Sequence, residues 1–203
     1  MRGAVAGLLG LALLTAGCGA AQDNPPDDQA GTPPHLWPVE VSTGQRFTNE
    51  EFGISAVFPN GAAVCVVETG THHHGYYGRL GYQGRLCSPS KDTPQFPVLA
   101  VNGDYNAAES RTARELLPDD CIPEEDAGGL ALPGLASVAC RQVADGRVTI
   151  LVAGLSKAAA GEIPSFSYSA WLSTSVATLE ADKAVFRRFL DGLVLTPPAP
   201  QGG

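Results

Sequence analysis

Three consecutive histidines, His72 to His74, stand directly before a stretch that nearly repeats itself: Gly75-Tyr-Tyr-Gly-Arg-Leu80, then Gly81-Tyr-Gln-Gly-Arg-Leu86. Two kinds of chemistry fit these residues. In an extended chain alternate side chains share a face, so His72 and His74 can ligate one metal ion, with Glu68 as a further oxygen donor. Structural zinc takes four protein ligands and catalytic zinc usually three plus water. The set is thin, and a solvated cluster that turns positive below about pH 6.5 is the plainer reading. The second chemistry is recognition. Glycine at 75, 78, 81 and 84 permits positive φ and close turns. The pattern predicts a loop or irregular hairpin that presents Tyr76, Tyr77, Arg79, Tyr82 and Arg85. Tyrosine offers rigid amphipathic area and arginine a fork of donors, the chemistry of recognition loops. A protein or glycan partner fits that surface; a duplicated surface loop without a partner is the plain alternative. Two copies are too few for a solenoid.

Other catalytic motifs are weak or missing. Ser88-Pro-Ser-Lys91 matches Ser-x-x-Lys. That motif needs a helix to bring Ser and Lys together; Pro89 and Cys87 point to a loop, and the companion motifs are absent. There is no Gly-x-Ser-x-Gly, P-loop or dinucleotide fingerprint. Glu124, Glu125 and Asp126 are consecutive, so they do not converge as a glycosidase pair would. They read as a solvated acidic turn. The expectation is a protein that is not an enzyme and carries no cofactor.

The elements that must hold these residues come from a chain of 203 residues, 44% hydrophobic and 17% charged, enough for one domain with a core. Formal net charge is −8 and the pI is about 4.9. An acidic chain repels phosphate backbones, which excludes general nucleic-acid binding. At the start, Arg2 precedes an apolar run, Ala4 to Leu14, and then Thr15-Ala16-Gly17-Cys18. This is the pattern of a secretory signal. The cysteine after Ala-Gly resembles a bacterial lipobox. That resemblance implies that residues 1–17 are removed and that acylated Cys18 becomes an N-terminus held in the membrane. Gly19 in place of Asp implies, by resemblance to enterobacterial sorting, the outer membrane facing the periplasm. Residues 18–45 are rich in Pro, Asp, Gly and Gln and predict a disordered tether. The globular domain is expected over 46–196, with 197–203 a disordered tail.

Cys65, Cys87, Cys121 and Cys140 remain, an even count in an exported chain, which suggests two disulfides. Three pairings are possible. Sequence neighbours, Cys65–Cys87 and Cys121–Cys140, are the simplest, each closing a loop worth about 3 kcal/mol. No Cys-x-x-Cys spacing supports a redox motif or zinc ribbon.

Strands are predicted over Phe52–Pro59, Phe96–Gly103 and Phe166–Thr174, with a shorter one at Ala63–Val67. Asp145-Gly146 predicts a type I′ hairpin that sets Val143 opposite Val148, Arg141 opposite Ile150 and Cys140 opposite Leu151. A helix is predicted from about Thr178 to Asp191, with Val185, Phe186, Phe189, Leu190 and Leu193 on one face. A shorter one is predicted over Asn106–Leu117, with Asn106 and Glu109 as a capping box and Pro118 as its stop. The result is α+β: an antiparallel sheet packed by a C-terminal helix and a shorter second helix. The opening FTNEEFGISAVFP and the closing FRRFLDGLVL resemble the two ends of the PsbP/Mog1-like fold, which implies interaction and assembly roles more than catalysis. The function expected is partner binding in the bacterial cell envelope. A narrower version is an inhibitor or immunity protein against a cell-wall-active toxin or lysozyme, since many of those are basic. The other version is a metal-binding protein using His72 and His74.

Overall fold

In the computed structural model, which describes residues 39–40, 46–68, 73–80, 97–124 and 129–198, Asp145 and Gly146 take positive φ of 51° and 73°. That turn geometry matches the twist of its flanking strands. It pairs Val143 with Val148, Arg141 with Ile150 and Cys140 with Leu151, the register read from the sequence.

The order along the chain is β1 (Val39–Glu40), β2 (Arg46–Asn49), β3 (Ile54–Val57), β4 (Ala62–Glu68), β5 (His73–Leu80) and β6 (Val98–Tyr105). It continues with β7 (Ile122–Pro123), β8 (Ala136–Ala144), β9 (Arg147–Leu155), β10 (Phe166–Ser175), helix α1 (Leu179–Asp191) and β11 (Val194–Leu195). Eight strands form one sheet in the order β1-β4-β5-β6-β10-β9-β8-β7, and three form a small one, β11-β3-β2. All the pairings are antiparallel. The fold is α+β. Val39 and Glu40, from the segment expected as tether, pair with Val64 and Ala63.

Alternation along the strands gives the large sheet two unlike faces. On the first face Val64, Tyr76, Leu99, Val101, Tyr168, Ala170, Leu172, Ile150 and Val152 are buried. The small sheet covers them with Ile54, Ala56 and Phe58, and α1 with Phe186, Phe189 and Leu190; together they form one apolar cluster. Phe58 and Phe189 meet at 4.8 Å between ring centres. A 3-10 turn, Val176–Thr178, leads into helix α1; Ser175 caps that turn, its side chain accepting from the Thr178 N–H. Buried Thr174 donates its hydroxyl to Asp182, which ties the helix start to β10. Gly192 closes the helix, its N–H bonded to the Arg188 carbonyl at 3.1 Å.

The second face carries a smaller cluster: Leu117, Cys121, Cys140 and Ala153, with Leu116, Val138 and Leu151 against it. Cys121 and Cys140 are joined, Cα atoms 5.6 Å apart. Cys65 is also disulfide-bonded; Cys87 lies outside the described residues.

The predicted second helix does not form. Asn106 folds the chain into a turn instead: its Oδ1 accepts the Ser110 N–H at 3.0 Å, and its Nδ2 donates to the carbonyls of Ser110 and Pro164 at 2.8 Å each. Glu109 sits at a φ of 54°. Asparagine offers the backbone such local bonds in competition with a helix. Only a single 3-10 turn, Ala113–Leu116, forms, and at its start the Thr112 hydroxyl donates to the Glu115 carboxylate at 2.9 Å. Glu115 also accepts the Arg111 N–H, and these bonds hold its carboxyl below the usual range.

Among the described residues no helix is long and apolar enough to cross a membrane.

Candidate functional site

The first copy of the glycine-tyrosine repeat is a regular strand inside the large sheet, not the predicted loop. β5 pairs with β4 along one side and β6 along the other. Its glycines serve close packing. A Cβ at Gly78 would lie 2.4 Å from the Phe58 ring; one at Gly75 would lie 2.0 Å from the Val101 carbonyl and 2.5 Å from Asn102 Oδ1. Two bulky groups thus press on the strand where only hydrogen leaves room.

Strand alternation also splits the tyrosines. Tyr76 faces the apolar layer and is 9% exposed. Its ring lies 5.7 Å from that of Phe47, and its hydroxyl donates to the Thr48 carbonyl. Burial pushes its phenol above the ordinary tyrosine range. Tyr76 is therefore a core residue that braces the small sheet, which removes it from the expected contact set. Tyr77 is half-buried on the second face. Arg79 stands in β5 opposite Ala63 and Val98. Tyr82, Arg85 and Cys87 lie outside the described residues.

The end of β5 and the start of β6 are fastened to each other. The Leu80 N–H donates to the Pro97 carbonyl at 3.1 Å, so residues 81–96 leave and return at one hydrogen bond. Cys65 faces Tyr77 across β4 and β5. From there one row crosses the second face: Cys65, Tyr77, Ala100, Trp171, Leu151 and Cys140. A disulfide-bonded cysteine stands at each end of it.

The neighbouring row runs Gly75, Asn102, Ser169 and Ala153. Asn102 is 2% exposed, and its Oδ1 has no hydrogen-bond partner among the described residues. A buried, unpaired amide oxygen costs about 1–3 kcal/mol. Asn102 lines a small pocket of about 120 Å³ with Gly103, Asp104, Leu116, Ser167 and Ser169. Ser167 donates to the Asp104 carbonyl at 3.5 Å. This is a site of hydroxyl and amide groups suited to holding a small polar group. In the sequence Asn102 stands at the end of an apolar run, between Val101 and Gly103, and that one polar letter is the only signal of it.

His74 packs its ring on Phe52, centres 5.7 Å apart and planes 23° apart. His72, its expected co-ligand, lies outside the described residues. Among the described residues no three His, Cys, Asp or Glu side chains converge.

Glu124, expected in a solvated turn, is buried at 8% exposure. Its Oε1 accepts Lys183 Nζ at 2.5 Å, and Arg141 Nε stands 3.7 Å from Oε2. Lys183 lies on the inward side of α1 and Glu124 follows β7, so the pair ties the helix to the sheet edge. A lone charge there would carry a large desolvation cost, which the pairing offsets. Glu125 and Asp126 lie outside the described residues.

No protein-family model matches the sequence, and no curated protein matches it significantly.

Proposed function

We propose that this chain is a lipid-anchored protein of the bacterial cell envelope that works by binding a protein or glycan partner, without bond-making chemistry of its own. Cys18 carries the lipid, and the outer membrane facing the periplasm is the destination. Cys65 pairs with Cys87, because Cys121 and Cys140 are already joined and Cys18 is acylated. The contact is made by Tyr77, Arg79, Tyr82 and Arg85. One observation carries this reading: the second copy of the repeat lies in a segment whose two ends are joined by the Leu80–Pro97 hydrogen bond within a rigid sheet. Binding residues are characteristically placed on loops that a rigid scaffold positions.

Two measurements test it. Capture from envelope extracts, and co-sedimentation with purified cell wall, are compared for the parent chain, Tyr82→Ala and Arg85→Ala. Loss of the captured species in the variants, with thermal stability unchanged, is the expected result. Equal capture by all three overturns the loop as the contact. Mass spectrometry of the exported protein should find a diacylglyceryl Cys18; an unmodified Cys18 in a chain cut elsewhere removes the anchor.

A further inference from the structure

A second pocket, of about 420 Å³, opens where the two sheets part company. Leu135 leads into β8, Ser156 and Lys157 follow β9, Phe166 begins β10, and Leu195 to Pro198 leave β11. Its apolar wall continues the main core: Phe166 belongs to that cluster, and Leu135 and Leu195 pack against it. The mouth is polar and of one sign. Lys157 is the only charged residue among the described lining residues, on a chain whose net charge is −8. Ser156 is 7% exposed and its Oγ accepts the Phe166 N–H at 3.1 Å. With that lone pair engaged, its own hydroxyl proton is left to donate.

We infer that this pocket binds a small monoanionic amphiphile, a carboxylate on a medium-length aliphatic tail. The tail lies against Leu135, Phe166 and Leu195, and the carboxylate meets Lys157 and the Ser156 hydroxyl. Size and charge select the class. At about 30 Å³ per water the space equals roughly 14 waters, enough for one chain of about ten carbons and too little for a two-chain phospholipid. Pockets of 300–1,000 Å³ with apolar walls and a few placed polar groups are the usual form of small-molecule sites. A buried apolar wall favours the tail in proportion to its area, and a single lysine at the rim separates an anion from a neutral or cationic analogue.

None of the described lining residues belongs to the repeat, and the inference does not depend on the contact proposed above. Calorimetry on the detergent-free full chain carrying Cys18→Ser tests it with decanoate, decanol and decyltrimethylammonium. Decanoate is expected to bind one to one with a micromolar Kd, and decanol and the ammonium at least tenfold more weakly. Lys157→Glu, at an exposed position, should weaken decanoate at least tenfold while leaving the folded chain intact. Leu135→Trp, which fills the apolar wall, should abolish binding. Equal affinity for all three probes, or no decanoate binding up to millimolar concentration, overturns the proposal.

Discussion

The two faces of the large sheet are built from the same strands and held down by different means. On the first face, aromatic and branched side chains lie under α1 and the small sheet, and Phe52, Leu99, Ile150, Leu172 and Phe186 are fully buried. On the second, the described cover is a single 3-10 turn and the segment that Cys121 staples to Cys140 in β8. A long amphipathic helix buries enough apolar area to hold itself against a sheet, at roughly 1.5–3 kcal/mol for each large side chain. A one-turn segment does not, and a covalent link supplies what area cannot. One sheet is thus half packed and half cross-linked, so its two faces should respond to different insults.

The largest effect belongs to the packed face. Phe186→Ala removes a fully buried ring from the centre of the helix–sheet contact. It should cost about 4 kcal/mol in urea unfolding, reduced or oxidised alike. A loss below about 1 kcal/mol would mean that α1 is not the lid, and the contrast between the faces would fail.

Next comes the cross-linked face. Replacing both Cys121 and Cys140 by Ser should cost about 3 kcal/mol, the loop-closure value for a sequence separation of 19 residues. Amide exchange should rise over residues 113–123 and stay protected in β10 and α1. Uniform loss of protection would show that the two faces are one cooperative unit and that the staple acts on the whole fold.

Alkali offers a smaller effect that again separates the faces. Tyr76 and Tyr168 both point into the packed layer, and burial pushes both phenols above the ordinary value of 10.0. The Tyr168 hydroxyl donates to the Phe52 carbonyl at 2.7 Å. Their native pKa values exceed the unfolded ones, so the unfolded chain releases protons first as pH rises past 10. Stability contributed by the protonated phenols is complete below pH 10 and is lost above it. Tyr168, the more strongly shifted of the two, adds a slope approaching about 1.4 kcal/mol per pH unit in that window. Urea midpoints between pH 9 and 11.5 should fall less steeply in Tyr168→Phe. An unchanged slope would place the phenol in contact with water.

How far these features were legible depended on whether one residue's local chemistry decided them. Asp145-Gly146 set its own turn, and the register of β8 and β9 followed from it. The spacing of Phe186, Phe189 and Leu190 defined the buried side of α1. The Gly75–Leu80 strand was hidden because glycine means flexibility only when nothing else occupies the space. Here Phe58 and Asn102 do, and both are distant in sequence. The Asn106 turn was hidden for a related reason: its amide bonds to Pro164, a partner 58 residues away that no local pattern shows. Glu124 looked solvated because Lys183, which comes to meet it, stands 59 residues further on. Asn102 carried only a faint mark, one amide in an apolar run.

That residue allows the finest test of the contrast, because its neighbour points the other way. Val101 and Asn102 are adjacent in β6, and both are buried, on opposite faces. Val101→Ala should cost about 2 kcal/mol as a cavity in the packed layer. Asn102→Ala removes an amide whose oxygen is unpaired among the described residues, and with it a desolvation penalty of about 1–3 kcal/mol. It should shift stability by less than about 1 kcal/mol, or raise it. Equal losses in chemical denaturation would make the amide a structural brace and the faces alike. Unequal losses of the expected sign mean that the amide opposes folding where it stands.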